Sequence, residues 1–229
     1  GSVVPRVNPA LVTRRQPADG GVLARYLLAH VTRREKQVTP NAKGTESWSW
    51  VPPPLVGEGL KVQTSWLHDF LLDPYPIRPA VVLRMPRFNM SPGEATALVN
   101  YFAARDDVEY PYAYNQERDQ QLLAAREIRY LAQLADPAAR AGEAREGIRL
   151  HDAMQILTSP DYCVKCHIVG DYAPQGAERG KAPDLAGVFE RLRPDYIRRW
   201  IAKPSGILPY TSMPVNIQYK PEDAPFLGG

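Results

Sequence analysis

Asp161–Asp171 reads DYCVKCHIVGD and holds both cysteines of the chain, Cys163 and Cys166, three residues apart with His167 directly behind the second. A residue type used nowhere else is serving a local purpose here, and four chemistries compete for it. A structural zinc site needs about four ligands, and the remaining histidines, His30, His68 and His151, are scattered along the chain. A thioredoxin-like pair should follow a buried strand and open a helix, whereas a helical pattern and Ser159-Pro160 precede this one. A disulfide across two residues closes a very small loop and constrains little of the unfolded chain. Covalent haem attachment uses all five positions of CVKCH: the thiols add to two vinyl groups and His167 arrives under the iron as an axial ligand.

The opposite face of such a haem separates catalysis from electron carriage, because an open iron position binds oxygen, peroxide or a diatomic gas and a methionine sulfur closes it. Met213, 46 residues beyond His167 in the loop ILPYTSMP, is the candidate sixth ligand. Most methionines are packed in cores, but this one stands in a proline-bracketed loop without helical periodicity.

The rest of the chain sets the frame. Its 229 residues, 44% apolar, suit two domains of a globular protein. No run of 18 apolar residues is present, so no membrane span is expected, and the opening Gly1-Ser2 reads as the start of an excised fragment. The 23 prolines favour short helices joined by stiff loops over a continuous sheet. A net charge of +3 is too small to argue for nucleic acid.

Periodicity predicts helices over residues 21–32 (Val22, Leu23, Tyr26, Leu27, His30), around Trp66, Leu67, Phe70 and Leu71, over 117–135 (Ala124, Ile128, Leu131, Ala135) and over 144–157. Ser91-Pro92-Gly93-Glu94 is a helix start, opening 92–104 with Ala95, Leu98, Val99 and Phe102 as its apolar face. Residues 106–115, DDVEYPYAYN, read as a linker, and no strand pattern is convincing. A shift of 130 residues lays Pro53, Leu55, Gly57, Pro74, Ile77 and Pro79 on Pro183, Leu185, Gly187, Pro204, Ile207 and Pro209 without a gap. The helix face Trp66, Leu67, Phe70, Leu71 falls on Tyr196, Ile197, Trp200, Ile201, and after a two-residue slip Met85-Pro86 falls on Met213-Pro214.

CVKCH followed by APDLAGVF, DYIRRWIAKP and SMP resembles a class I cytochrome c domain along its length, apart from the last helix. The resemblance implies a mostly α fold of two small cytochrome c-like domains in tandem: a haemless one over 17–106, a helical linker over 107–142 and a haem domain over 143–229. It implies that Cys163 and Cys166 carry one haem c, that His167 and Met213 ligate its iron, and that the Pro183 carbonyl holds the other histidine nitrogen. Leu185, Tyr196, Trp200, Ile207 and Tyr210 would wall the crevice. It further implies electron transport rather than turnover of a substrate, with a redox protein as donor or acceptor. Assembly would be periplasmic, in a larger polypeptide or complex that could itself be membrane-associated. No helix is expected over residues 218–229, so the cover of the second domain is expected from chain beyond this fragment, from another segment of the protein or from a partner.

The first copy departs further, since RREKQ (33–37) stands where CVKCH should be. A haemless crevice is a costly hole unless filled, and Trp48 and Trp50, with Met85, are the expected fillers; His30 reads as a plain helix-face residue. Arg191, Arg193, Arg198, Arg199 and Lys203 form a basic run that reads as a solvated face, with haem propionates or an acidic partner as its other use. Two further functions stay open: a haem enzyme or gas sensor in which Met213 is not fixed on the iron, and an interaction region of a redox complex.

Overall fold

The computed structural model describes residues 21–41, 46–79, 81, 83–108, 119–133, 147–174, 182–208 and 210–215. The helices are α1 (Gly21–Val38), α2 (Glu58–Lys61), α3 (Thr64–Leu72), α4 (Pro92–Arg105), α5 (Gln120–Gln133), α6 (Ile148–Thr158), α7 (Val188–Arg191), α8 (Pro194–Ala202) and α9 (Pro204–Ile207), with 3-10 turns at Glu46–Trp50 and Cys163–Lys165. Among the described residues no strand forms, and β pairing is confined to isolated bridges. Two compact units result: Gly1–Tyr112 with Val188–Gly229, and Ala113–Gly187. The division falls inside the segment that the sequence assigns to one haem domain.

In the first of these units, α4 begins as expected. The Ser91 hydroxyl accepts the Glu94 N–H and the Glu94 carboxylate accepts the Ser91 N–H, a complete capping box with Pro92 in the first turn. The backbone N–H and then the hydroxyl of Ser91 hold the Glu94 carboxyl below its ordinary range. The buried stripe is Ala95, Val99 and Ala103, while Leu98 is 38% exposed, a correction to the expected face. Ala95, Val99 and Ala103 recur every fourth position and form the buried face of α4, and Gly59 lets α2 lie close against it. A Cβ on Gly59 of α2 would stand 2.3 Å from the Phe102 carbonyl oxygen of α4, and the Gly59 N–H donates to Asp106 Oδ2 at 2.7 Å. Val62, Leu67, Leu71, Ala95 and Val99 form the core, with Trp66, Leu72, Met90, Phe102 and Leu192 packed against it.

The internal repeat is visible in this unit. The bounds of α2 and α3 recur in α7 and α8, each displaced by 130 residues. Val62 and Leu192, equivalent under the same shift, pair in an antiparallel bridge. The Gln63 N–H donates to the Arg191 carbonyl at 2.8 Å and the Arg193 N–H to the Lys61 carbonyl at 2.9 Å. Side chains repeat the exchange: Gln63 Nε2 donates to the Leu192 carbonyl at 3.0 Å and Arg193 Nε to the Val62 carbonyl at 3.0 Å. This reciprocity binds α7 and α8 to the first copy and explains the unit boundary before Val188.

Helix α1 runs to Val38, six residues beyond the expected end, and takes RREKQ into its last turns. There the Thr32 hydroxyl donates to Ser47, and Ser47 donates to Glu35 Oε2 at 2.6 Å. The counterpart of CVKCH under the 130-residue shift thus anchors the 3-10 turn that carries Trp48. His30 is exposed on α1.

In the other unit, the Asp119 carboxylate caps α5 by accepting the Gln121 and Leu122 N–H groups. The expected apolar face of this helix is corrected: Ile128 is 69% exposed and Ala124 is exposed, whereas Leu131 is half-buried and Ala135 lies outside the described residues. Contact with α6 is made instead by polar groups, with Tyr130 donating to Asp152 Oδ2 at 2.5 Å and the Arg149 N–H to Glu127 Oε1 at 3.0 Å. Helix α6 stops before Ser159-Pro160 as expected. Most of the linker, 109–118, and the C-terminal 218–229 lie outside the described residues.

Candidate cofactor site

The cysteine motif belongs to the unit Ala113–Gly187. Past Pro160 the chain tightens into the Cys163–Lys165 3-10 turn, in which the Cys163 carbonyl accepts the N–H groups of Cys166 at 3.2 Å and His167 at 2.9 Å. Val164, between the thiols, points inward and is 6% exposed, which fixes the turn. Both cysteines are free and half-buried, and burial pushes the Cys163 thiol up from its ordinary range. Among the described residues no three His, Cys, Asp or Glu side chains converge on a point that could hold a metal ion. Thioether attachment asks for no such convergence, since each sulfur bonds its own carbon.

Two backbone contacts then bring a carbonyl to the histidine. Val169 and Tyr172 exchange both N–H to carbonyl bonds, at 2.9 and 3.0 Å, around Gly170-Asp171, with Gly170 at φ +57° as that tight turn requires. The Leu185 N–H donates to the Ile168 carbonyl at 2.9 Å, laying residues 183–185 alongside the motif. The Pro183 oxygen is thereby 2.6 Å from His167 Nδ1. A carbonyl can only accept, so Nδ1 is the donor, and in the neutral ring it is Nε2 that keeps the lone pair. A ring held through one nitrogen with the other left basic is the arrangement of a ligating histidine, and the residues of this unit fit a haem attached at Cys163 and Cys166.

The remaining candidates belong to the other unit, apart from half-buried Leu185. Tyr196 and Trp200 stack at 5.9 Å on α8. Trp200 Nε1 donates to the Met213 sulfur at 2.8 Å, and the Met213 N–H donates to the Thr211 hydroxyl at 3.2 Å, so both ends of Met213 are held. Ile207 is half-buried on α9. Tyr210 stacks on Trp48 with ring centroids 3.7 Å apart and planes 3° from parallel. Two expected fillers of the first copy are corrected: Trp50 is 51% and Met85 36% exposed. Only Trp48 is partly enclosed, and its partner is Tyr210 rather than a vacant crevice.

Within the basic run, Arg191 is pushed down from its ordinary range, chiefly by burial, and Arg198 pairs with Asp195 at 2.7 Å. Burial first, and then the charge of Glu58, push the Tyr196 hydroxyl up to about 12, against the opposing influence of Arg78 and Arg191. The folded state therefore holds the Tyr196 proton more tightly than the unfolded chain does. This stabilisation is fully present below the ordinary phenol value and is lost as pH rises from about 10 to about 12. Tyrosinate absorbance should show one late-titrating phenol that Tyr196→Phe removes, and the variant should lose less stability over that window.

Sequence reasoning missed two features. The reciprocal pairing at Val62 and Leu192 has no strand pattern to announce it, and Trp66 and Phe70, read only as a core-facing helix face, also wall a cavity with Tyr75. No family model, curated protein or solved structure matches this chain.

Proposed function

We propose that the chain is an electron-transfer module carrying one haem c, attached through Cys163 and Cys166 and ligated by His167 and Met213. The observation that carries this reading is the 2.6 Å contact from His167 Nδ1 to the Pro183 carbonyl, which leaves Nε2 as the basic nitrogen of a histidine directly behind two free thiols. A bound haem supplies a one-electron ferric/ferrous couple. The chain's own part is to hold the ring of His167 at a fixed orientation and to orient the thioether of Met213 through the Trp200 indole N–H. The assignment of Met213 rests on its place in the sequence, and its two sulfur lone pairs allow one to accept from Trp200 and the other to bind a metal.

The remaining parts of the proposal follow from the resemblance to class I cytochromes c. The module belongs to a larger extracytoplasmic redox protein, its partners are a redox donor and acceptor, and the first copy serves as a haemless scaffold. No helix among the described residues is long and apolar enough to cross a membrane.

The indole bond to the Met213 sulfur also favours a second reading, in which that sulfur stays with Trp200 and the haem is an enzyme or gas-sensor centre. A visible spectrum of protein matured with a cytochrome c assembly system tests both. One haem per chain, a methionine-to-iron charge-transfer band and slow cyanide or carbon monoxide uptake are expected. Rapid uptake without the band would replace the first reading by the second, and absence of covalent haem would overturn both.

A further inference from the structure

We propose that a cavity beside α3 binds the quaternary ammonium group of a small organic cation, independently of haem. The cavity has a volume of about 440 Å³ and is walled by Trp66, Phe70 and Tyr75, with the carboxylates of Asp69, Asp73 and Glu190 also lining it. All six residues belong to one unit.

Aromatic geometry comes first. Trp66 and Phe70 stack at 4.8 Å with planes 16° apart, and Tyr75 stands nearly perpendicular to both, at 87° and 84°. Trp66 Nε1 donates to the Tyr75 hydroxyl at 2.9 Å, so the corner between the two walls is held by a hydrogen bond as well as by packing. Trp66 and Phe70 lie on a nine-residue helix whose Leu67 and Leu71 are buried in the core, which gives the rings a rigid base. Aromatic faces attract cations, tryptophan most strongly.

Charge comes second. The lining contains three acidic side chains and no basic one. His68 faces Asp69 at 3.0 Å and Arg87 faces Asp73 at 3.5 Å, but Asp69 and Asp73 are each 83% exposed, where such pairs neutralise little. The repeat supplies an internal control. At the positions 130 residues on, Asp69 and Asp73 are replaced by Arg199 and Lys203, and Tyr75 by Ser205, whereas Trp66 and Phe70 remain aromatic as Tyr196 and Trp200. The two aspartates and the perpendicular wall thus occur together in the copy that carries RREKQ, and Glu190 lines the same cavity from the other copy.

The class of cation follows from hydration. A metal ion keeps a strongly bound water shell that aromatic walls cannot replace, a primary ammonium is costlier to strip of water than a quaternary one, and among the described residues no set of three ligating side chains meets at one point. A quaternary ammonium sheds its weakly held water at small cost and is recognised by aromatic cages.

Calorimetry and tryptophan fluorescence with choline test the proposal on the full chain, with or without haem. Saturable binding at one choline per chain is expected, with the uncharged isostere 3,3-dimethylbutan-1-ol about tenfold weaker or worse. The double variant Asp69→Asn/Glu190→Gln changes exposed residues only and should weaken choline by about tenfold while leaving the far-ultraviolet circular dichroism unchanged. Trp66→Leu should abolish binding. Failure of choline to saturate, equal binding of the isostere, or full affinity in the double variant would each overturn the site. None of these outcomes bears on the proposed electron-transfer function, which is read from the haem spectrum.

Discussion

Replacing Cys163 and Cys166 together by alanine should leave a polypeptide that carries no haem after denaturation, against one haem per chain for the parent protein. The expected loss is complete, because these are the only cysteines in the sequence and each thioether needs its own sulfur. Mass spectrometry of the acid-denatured chain reads the result directly. Cys166→Ala alone should retain haem through a single bond with an altered absorption band. His167→Ala should keep the haem covalently bound while losing its parent low-spin spectrum, which separates attachment from ligation. Full haem occupancy in the double alanine variant would remove the basis of the electron-transfer reading.

Gly59→Ala is the second large effect, and it concerns folding rather than chemistry. The added methyl would stand 2.3 Å from the Phe102 oxygen and 2.8 Å from its carbonyl carbon, both backbone atoms that no rotamer change can move. Helix α4 must then lift from α2, straining the bond from the Gly59 N–H to Asp106 and loosening Ala95, Val99 and Ala103. A loss of about 3 kcal/mol is expected from overpacking of this kind, read as a lower urea midpoint. Gly93→Ala is the contrast. That position lies in the first turn of α4, a Cβ there meets nothing closer than the Ser91 hydroxyl at 4.0 Å, and a gain of about 0.5 kcal/mol is expected from the lower entropy of the unfolded chain.

The second copy has Phe189 where the first has Gly59, and Phe189 is 53% exposed. The glycine stands where α4 presses its backbone against α2.

Helix positions were legible wherever the chain carried explicit stops and starts, as at Ser91-Pro92 and Ser159-Pro160, because capping groups and proline act locally. Faces were less legible. Spacing alone could not choose Ala103 over Leu98, since the choice is made by how closely α2 approaches. It also assigned an apolar face to α5, where Glu127 and Tyr130 meet Arg149 and Asp152 through polar contacts. The filling of the first crevice by Trp50 and Met85 failed for a different reason: it presupposed a cavity shaped like the second copy's, and Trp48 instead pairs with Tyr210 across the repeat. CVKCH was picked out by its spacing, while the contact between His167 and Pro183, expected only from the resemblance, lies beside the bond from the Leu185 N–H to the Ile168 carbonyl and could not be read from spacing alone.

An antiparallel contact in which each side gives the other what it receives is the contact made by two identical chains about a twofold axis. The joint at Val62 and Leu192 has that form, although it lies within a single chain. Fusing a symmetric pair end to end preserves such a joint and releases each half from the need to remain a copy of the other. One half can then carry Asp69 and Asp73 where its twin carries Arg199 and Lys203, with the shared seam as the fixed reference between them.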